Sequence, residues 1–315
     1  MRRFVLRRLA QAAVVLLGVS LIVFALVQLV PGDPVRVSLG TRFDPETYAA
    51  LRERAGFDRP LPVQYLTYVG GALTGDLGVS FRSGQPVTTT LLDRLPATLS
   101  LALCGLLVAL CIAVPLGVVS AMRSGSLADH AATVTSQIGV SIPDFWMAIL
   151  LILLFSGVLG VLPPSGYVPL GEDPVEWAKH MVMPAVTIGV VSGAILTRFI
   201  RAAVLESLGQ DHVRTARSKG LPDGLILRRH VLRNALIPII TITGVQLATL
   251  LGGVIVVEVI FSWPGLGRLT LDAVLARDYP VLQGAVLLVA ALFLLVNLVV
   301  DVLYAAVDPR IRYGS

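Results

Sequence analysis

Six long stretches that carry almost no charge constrain this chain more than any other feature: Leu9–Val30, Leu95–Met122, Ile138–Leu162, Met181–Thr197, Asn234–Val257 and Tyr279–Val300. A bilayer core of ~30 Å is crossed by about 20 apolar residues in a helix. Five of the six meet or approach that length with no charge inside. The third is interrupted by Pro143 and Asp144. The fourth is short and ends at Arg198, whose long stem lets its guanidinium reach the headgroups. Only 14% of residues are charged, against roughly 25% in soluble domains, too few to cover a water-facing surface. The expected fold is an all-α integral membrane protein with six transmembrane helices.

The basic residues sit at the ends of these stretches. With the N-terminus placed in the cytoplasm, the internal segments hold fifteen Arg or Lys. The external ones hold three, Lys179, Arg268 and Arg277, once the long segment 31–96 is set aside. This asymmetry predicts that both termini are cytoplasmic. It also argues against nucleic-acid binding, which would gather the charge on one face. The opening Arg2-Arg3-Phe4-Val5-Leu6-Arg7-Arg8 resembles a signal-peptide start. The apolar run after it is too long for one, however, and ends in Val30-Pro31-Gly32-Asp33-Pro34 without a small-residue cleavage site. An uncleaved first span is expected. Cys104 and Cys111, seven residues apart in the second stretch, are ~10 Å apart along a helix, beyond disulfide reach.

Three connecting segments have their own patterns. In the external segment 31–96, Tyr48, Leu51 and Ala55 recur at helical spacing between Pro45 and Gly56, and Pro60, Pro62, Gly70-Gly71, Gly75 and Gly78 come after them. A small cap of one or two short helices is expected. The internal loop 198–233 predicts a helix over His212–Lys219 capped by Asp211 and closed by Gly220 in a left-handed conformation. A second, basic amphipathic helix opening at Pro222 and Asp223 is expected on the cytoplasmic surface, with Leu225, Ile226, Val231 and Leu232 among Arg228, Arg229 and Arg233. The third segment contains Phe261-Ser262-Trp263-Pro264-Gly265-Leu266-Gly267. It fits either a tightly folded or re-entrant element or an ordinary turn with an interfacial Trp.

Chemical motifs are absent. Neither lysine lies in a glycine-rich phosphate loop, so the chain has no ATP site of its own. His130, His180, His212 and His230 lack metal-ligand spacing, and no Gly-x-Ser-x-Gly occurs. Ion-coupled carriers keep ionisable groups inside their spans. The candidates here are Asp144, beside Phe145 and Trp146, and Glu258 and Asp301 at span ends. Asp144, Phe145 and Trp146 either line a pathway or anchor a boundary; Glu258 and Asp301 fit interface or capping roles. The chain looks like a conduit without an energy source.

The internal loop reads Asp211-His212-Val213-Arg214-Thr215-Ala216-Arg217-Ser218-Lys219-Gly220-Leu221, then Arg233-Asn234-Ala235-Leu236-Ile237-Pro238. It resembles the loop of permease subunits in binding-protein-dependent ABC importers: Glu-Ala-Ala, three residues, Gly, then Ile-x-Leu-Pro. Arg214, Thr215 and Ala216 occupy the Glu-Ala-Ala places and Gly220 the glycine. The departure at Arg214 and Thr215 is itself typical of the dipeptide/oligopeptide/nickel branch. Also similar to that branch are Arg7-Arg8-Leu9, Val30-Pro31-Gly32-Asp33-Pro34, Asp58-Arg59-Pro60-Leu61-Pro62-Val63-Gln64-Tyr65, Gly75-Asp76-Leu77-Gly78, Trp263-Pro264-Gly265-Leu266-Gly267, Arg277-Asp278-Tyr279-Pro280 and Asp308-Pro309-Arg310. The order of these segments over the chain is specific where each alone is weak.

The resemblance implies a type I importer permease fold, a single transmembrane domain over 1–315 in the inner membrane of a prokaryote. A second, usually non-identical permease subunit would complete the pathway. Two ATPase subunits would bind ATP and Mg beneath it, and an extracytoplasmic binding protein would deliver substrate. The chain itself would hold no cofactor or metal and catalyse nothing. Asp211, Val213, Arg214, Thr215, Ala216, Arg217, Lys219, Gly220 and Leu221 would couple it to the ATPases, and Asp144, Phe145 and Trp146 are candidate pathway residues. Di- or oligopeptides are the expected substrates, with nickel complexes, glutathione or another small solute as alternatives. An ion-coupled secondary carrier is a distant one.

Overall fold

The computed structural model describes residues 2–30, 32–33, 35–36, 44–56, 58–252 and 254–307. Pro31 and Pro34 of the segment after the first span, and Asp308-Pro309-Arg310, lie outside them. In chain order the helices are α1 (Arg2–Leu29), α2 (Pro45–Ala55), α3 (Leu61–Thr74), α4 (Val87–Met122), α5 (Leu127–Ser141), α6 (Asp144–Leu151), α7 (Pro174–Leu208), α8 (Asp211–Ser218), α9 (Asp223–Ile226), α10 (Leu232–Leu251), α11 (Ile255–Ile260), α12 (Leu266–Ala276) and α13 (Tyr279–Val307). Wider π-helical turns extend α6 through Ile152–Val158 and join α9 to α10 through Leu227–Val231. Among the described residues the only β pairing is an isolated Val79–Pro86 bridge.

Five helices are long and apolar enough to cross a membrane, and α5 with α6 makes a sixth span if the pair is counted as one. The expected third span is therefore broken, with its halves bent by 97°. Proline explains the break: the ring of Pro143 disfavours helical geometry at the preceding residue, and Ile142 is extended, at φ −80° and ψ 121°. The short fourth stretch proves to be the middle of α7, a helix of 35 residues. The fifth stretch stops being helical at Leu251, earlier than expected, and Val257 belongs to α11.

The described residues form two units, and α4 and α13 contribute to both. The first comprises Leu99–Trp263 with the C-terminal part of α13. One seam joins α4 to α7 through small residues. Gly105, Ala109, Ala113 and Gly117 recur every fourth position on α4, and Ala185, Gly189 and Gly193 do so on α7. All seven are buried. The approach is close enough that a β-carbon on Gly189 would stand 2.5 Å from Val108 Cγ1, and one on Gly193 3.1 Å from the Ala109 carbonyl oxygen. In lipid, where apolar burial drives little, such backbone proximity is what holds helices together. Gln246 on α10 donates to Ser192 Oγ on α7 at 2.9 Å.

Trp263 and Phe261 are fully buried in this unit. The Trp263 ring meets Tyr167 edge-on at 4.7 Å, so the tightly folded alternative applies and Trp263 is no interfacial anchor. Glu258, expected in an interface or capping role at a span end, is likewise fully buried.

The second unit comprises Arg2–Thr98 and Pro264–Leu294. Its core gathers Val87, Leu91, Leu266, Ala273, Val281 and Ala285. Buried polar groups are tied down. Thr98 Oγ1 accepts from the Leu266 amide at 2.8 Å. The Asp278 carboxylate accepts from the Phe81 amide at 3.1 Å and from the Ser80 hydroxyl. Of the one or two short helices expected in segment 31–96, two are present, α2 and α3; at α2, Asp44 accepts from the Thr47 amide at 2.8 Å and Gly56 is left-handed at φ 68°.

Candidate coupling loop and pathway residues

The candidate coupling residues lie on α8 and its C-terminal turn. Asp211 is the first helical residue and not its cap. That position belongs to Gln210, whose side chain makes no capping bond. Asp211 instead sits in the first turn, where a carboxylate meets the positive end of the helix dipole, and its Oδ1 lies 3.6 Å from Arg214. The C-terminus closes as the sequence predicts. Gly220 adopts φ 74° and donates to the Arg217 carbonyl at 2.9 Å, and the Leu221 amide donates to Ala216 at 3.3 Å. This is the paired bonding of a Schellman cap.

The helix has two faces. Val213 and Ala216 are buried, and α8 packs against α9 and the π-helical turn after it. Asp211, Arg214, Thr215, Arg217, Lys219 and Gly220 are exposed, and Leu221 is half-buried. Arg217 lies 3.6 Å from Asp223. Pairs as exposed as this contribute about 0–1 kcal/mol, so most of the exposed basic charge remains available to a partner. Two further contacts tie α7 and α8 to the start of α10. His212 Nε2 lies 2.9 Å from Asn234 Nδ2, and Ser207 Oγ donates to the Val231 carbonyl at 3.1 Å.

The expected separate amphipathic helix is not found. Asp223 through Leu251 forms one continuous helical run, long and apolar enough to span, because the π-helical turn carries the backbone on without a break. The loop after α8 therefore feeds straight into a membrane helix.

A cluster that sequence reading missed lies just ahead of α8. On α7, Arg201 grips Asp129 of α5 in a two-pronged pair, Nε to Oδ1 at 2.7 Å and Nη2 to Oδ2 at 2.8 Å. Ser120 of α4 and the Gly125 amide also donate to Asp129. The planar guanidinium matches the carboxylate fork, and one clasp thus pins three helices. Its one sequence signal was a pair of opposite charges flanking otherwise apolar runs.

Asp144, Phe145 and Trp146 form the first turn of α6, at the corner of the bent span. Asp144 is half-buried and the two aromatic side chains are exposed. They share no element with the coupling residues. Among the described residues, no three His, Cys, Asp or Glu side chains gather into a metal-binding group.

Long apolar helices with a short capped helix between α7 and α10 fit an importer permease, and the chain belongs to the family of binding-protein-dependent transport system inner membrane components. The family model matches residues 113–313, and its N-terminal companion matches residues 1–102. The chain is thus a multi-pass plasma-membrane permease subunit and not a catalytic one.

It is 42% identical to the dipeptide transport system permease protein DppB of Escherichia coli (strain K12) over 99% of both chains. It is 42% identical to the di/tripeptide transport system permease protein DppB of Pseudomonas aeruginosa (strain UCBPP-PA14), again over 99% of each. A putative peptide transport system permease protein of Brucella abortus (strain 2308) is 41% identical over 99% of this chain and 100% of that one. Among solved structures, the MetNI methionine ABC transporter shares the fold, with TM-score 0.56 and 20% identity over 69% of this chain and 96% of that one.

Proposed function

We propose that this chain is a pathway-forming subunit of an ATP-driven importer of di- or oligopeptides, working as one transmembrane domain. The observation that carries the reading is end-to-end identity of 42% with a dipeptide permease. In this reading both termini are cytoplasmic. A second, non-identical permease subunit completes the pathway, and an extracytoplasmic binding protein delivers the peptide. Two ATPase subunits hold ATP and Mg. Asp144, Phe145 and Trp146 line the pathway.

α8 is the coupling lever. Its exposed face, with Asp211, Arg214, Thr215, Arg217 and Lys219, seats in a groove of the ATPase, and Val213 and Ala216 fasten it to the permease. A push on a helix closed by Gly220 and Leu221 is passed on, whereas a floppy loop would absorb it. Asp223–Leu251 then carries the displacement into the membrane as one helical run.

The test is to purify the chain with its partner subunits, reconstitute them in vesicles, and measure ATP hydrolysis and uptake of a labelled dipeptide with the binding protein present. Peptide-stimulated hydrolysis with uptake supports the reading. Stimulation by a nickel complex or glutathione alone would replace the substrate and keep the architecture. Uptake driven by an ion gradient without ATP would overturn it. Gly220→Pro is expected to assemble but uncouple, because proline can neither reach φ 74° nor donate to Arg217. Wild-type uptake in that variant would remove α8 from the lever role.

A further inference from the structure

The helix α3 has its polarity inside out. Gln64, Tyr65 and Tyr68 face α1, where Gln28 donates to Gln64 at 3.1 Å and Phe24 packs against both tyrosine rings, 5.4 and 6.3 Å between centroids. The opposite face carries Pro62, Val63, Leu66, Gly70 and Leu73, all exposed. Leu66 is 69% exposed and Leu73 84%. A helix resting on a protein in water turns its polar side chains outward. Here they turn inward, and the outer face is mostly hydrocarbon, with Thr67 and Thr74 at its margin and the Thr74 hydroxyl bonded back to the Gly70 and Gly71 carbonyls.

Depth points the same way. The apolar run of α1 ends near Leu29, yet the Tyr65 hydroxyl lies 3.0 Å from Ser20 Oγ and donates to the Leu17 carbonyl at 3.4 Å. Ser20 is nine residues below Leu29, or ~14 Å along the helix. α3 therefore touches α1 within the stretch that crosses the apolar core. Over this same stretch α1 exposes its own apolar side chains, Leu21, Ile22, Leu26 and Leu29. From Leu61 to Gly75 there is no charge, and Arg59 and Asp76 flank the run. At 14 residues the helix is ~21 Å long, too short to span and suited to an interfacial or re-entrant position.

We propose that α3 is embedded in one leaflet, with Val63, Leu66 and Leu73 against lipid acyl chains and the Tyr65–Ser20 contact holding it to α1. Part of the segment expected to cap the protein outside the bilayer is then membrane surface, which fixes the rest of the cap close to the headgroups.

The test uses the whole importer in vesicles. Cys104→Ala and Cys111→Ala remove the native thiols, and Leu66→Cys, Leu73→Cys or, as a water-exposed control on α2, Glu53→Cys is labelled with bimane. Binding-protein-stimulated ATP hydrolysis verifies that each labelled complex is assembled. Nitroxide phospholipids are expected to quench the labels at 66 and 73 several-fold more than the label at 53, and aqueous iodide is expected to do the reverse. Iodide quenching at 66 and 73 would overturn the proposal by placing α3 in water. Protection from both quenchers would overturn it by showing that another protein subunit covers this face.

Discussion

Asp129 accepts hydrogen bonds from Arg201, Ser120 and the Gly125 amide, and its residue is only 5% exposed. Removing one partner of such a pair leaves the other charge without its match. Asp129→Ala is expected to lower the unfolding temperature, by less than for a fully enclosed pair, since Arg201 reaches partial exposure. The Asp129→Ala/Arg201→Ala double variant should lose less than the sum of the singles, as thermal unfolding in detergent would show. At the other end of the chain, burial alone would raise the Asp33 carboxyl. Bonds from the Tyr48 hydroxyl and the Arg36 and Val35 amides, with the Arg52 charge beyond, hold it below its ordinary value of 3.8. The Thr47 amide and hydroxyl lower Asp44 in the same way. Depressed folded-state values contribute stability above the unfolded pKa, lost as pH falls through the folded one. The Asp33–Tyr48–Arg52 contacts and the α2 cap should therefore hold above about pH 4 and loosen below it, seen as growing cleavage within Pro45–Ala55 by an acid-active protease.

At the scale of elements, the α4–α7 seam and the α8 cap make opposite demands on glycine. At Gly189 the constraint is space. Val108 is β-branched and stiff, so Gly189→Leu is expected to cost about 1–3 kcal/mol through overpacking, measured as a lowered unfolding temperature. At Gly220 there is open space and the constraint is handedness. Gly220→Ala should therefore strain only the backbone, by about 1–2 kcal/mol, and lower substrate imported per ATP less than Gly220→Pro does. Gly220 was legible in the sequence because a glycine after a short polar helix is a local signal. The apolar spans were legible because their length alone carries the information. The Asp129–Arg201 clasp was not, since its members are far apart and each reads as an ordinary span-end charge. Nor was the α3 face, because nothing in Leu61–Thr74 says which side meets α1. The fusion of α9 to α10 escaped because Pro222 marks a start convincingly, whereas a π-helical turn leaves no punctuation.

For the whole molecule, the arginine asymmetry predicts one sidedness. A reporter active only in the cytoplasm should be active when fused at either terminus, and inactive when inserted between α12 and α13. Failure at one terminus would mean an odd number of crossings, with α5 and α6 not acting together as one span. The clasp also imposes an order on biogenesis. Asp129 precedes Arg201 by 72 residues, which at ~5–20 residues per second is roughly 4–14 s of synthesis. For that interval the carboxylate has been made and its guanidinium does not yet exist. α4 and α5 must therefore wait, sheltered by the insertion machinery, until α7 arrives. A chain lacking Arg201 is exposed to quality-control proteolysis at that point, and its defect registers as missing protein before it registers as slow transport.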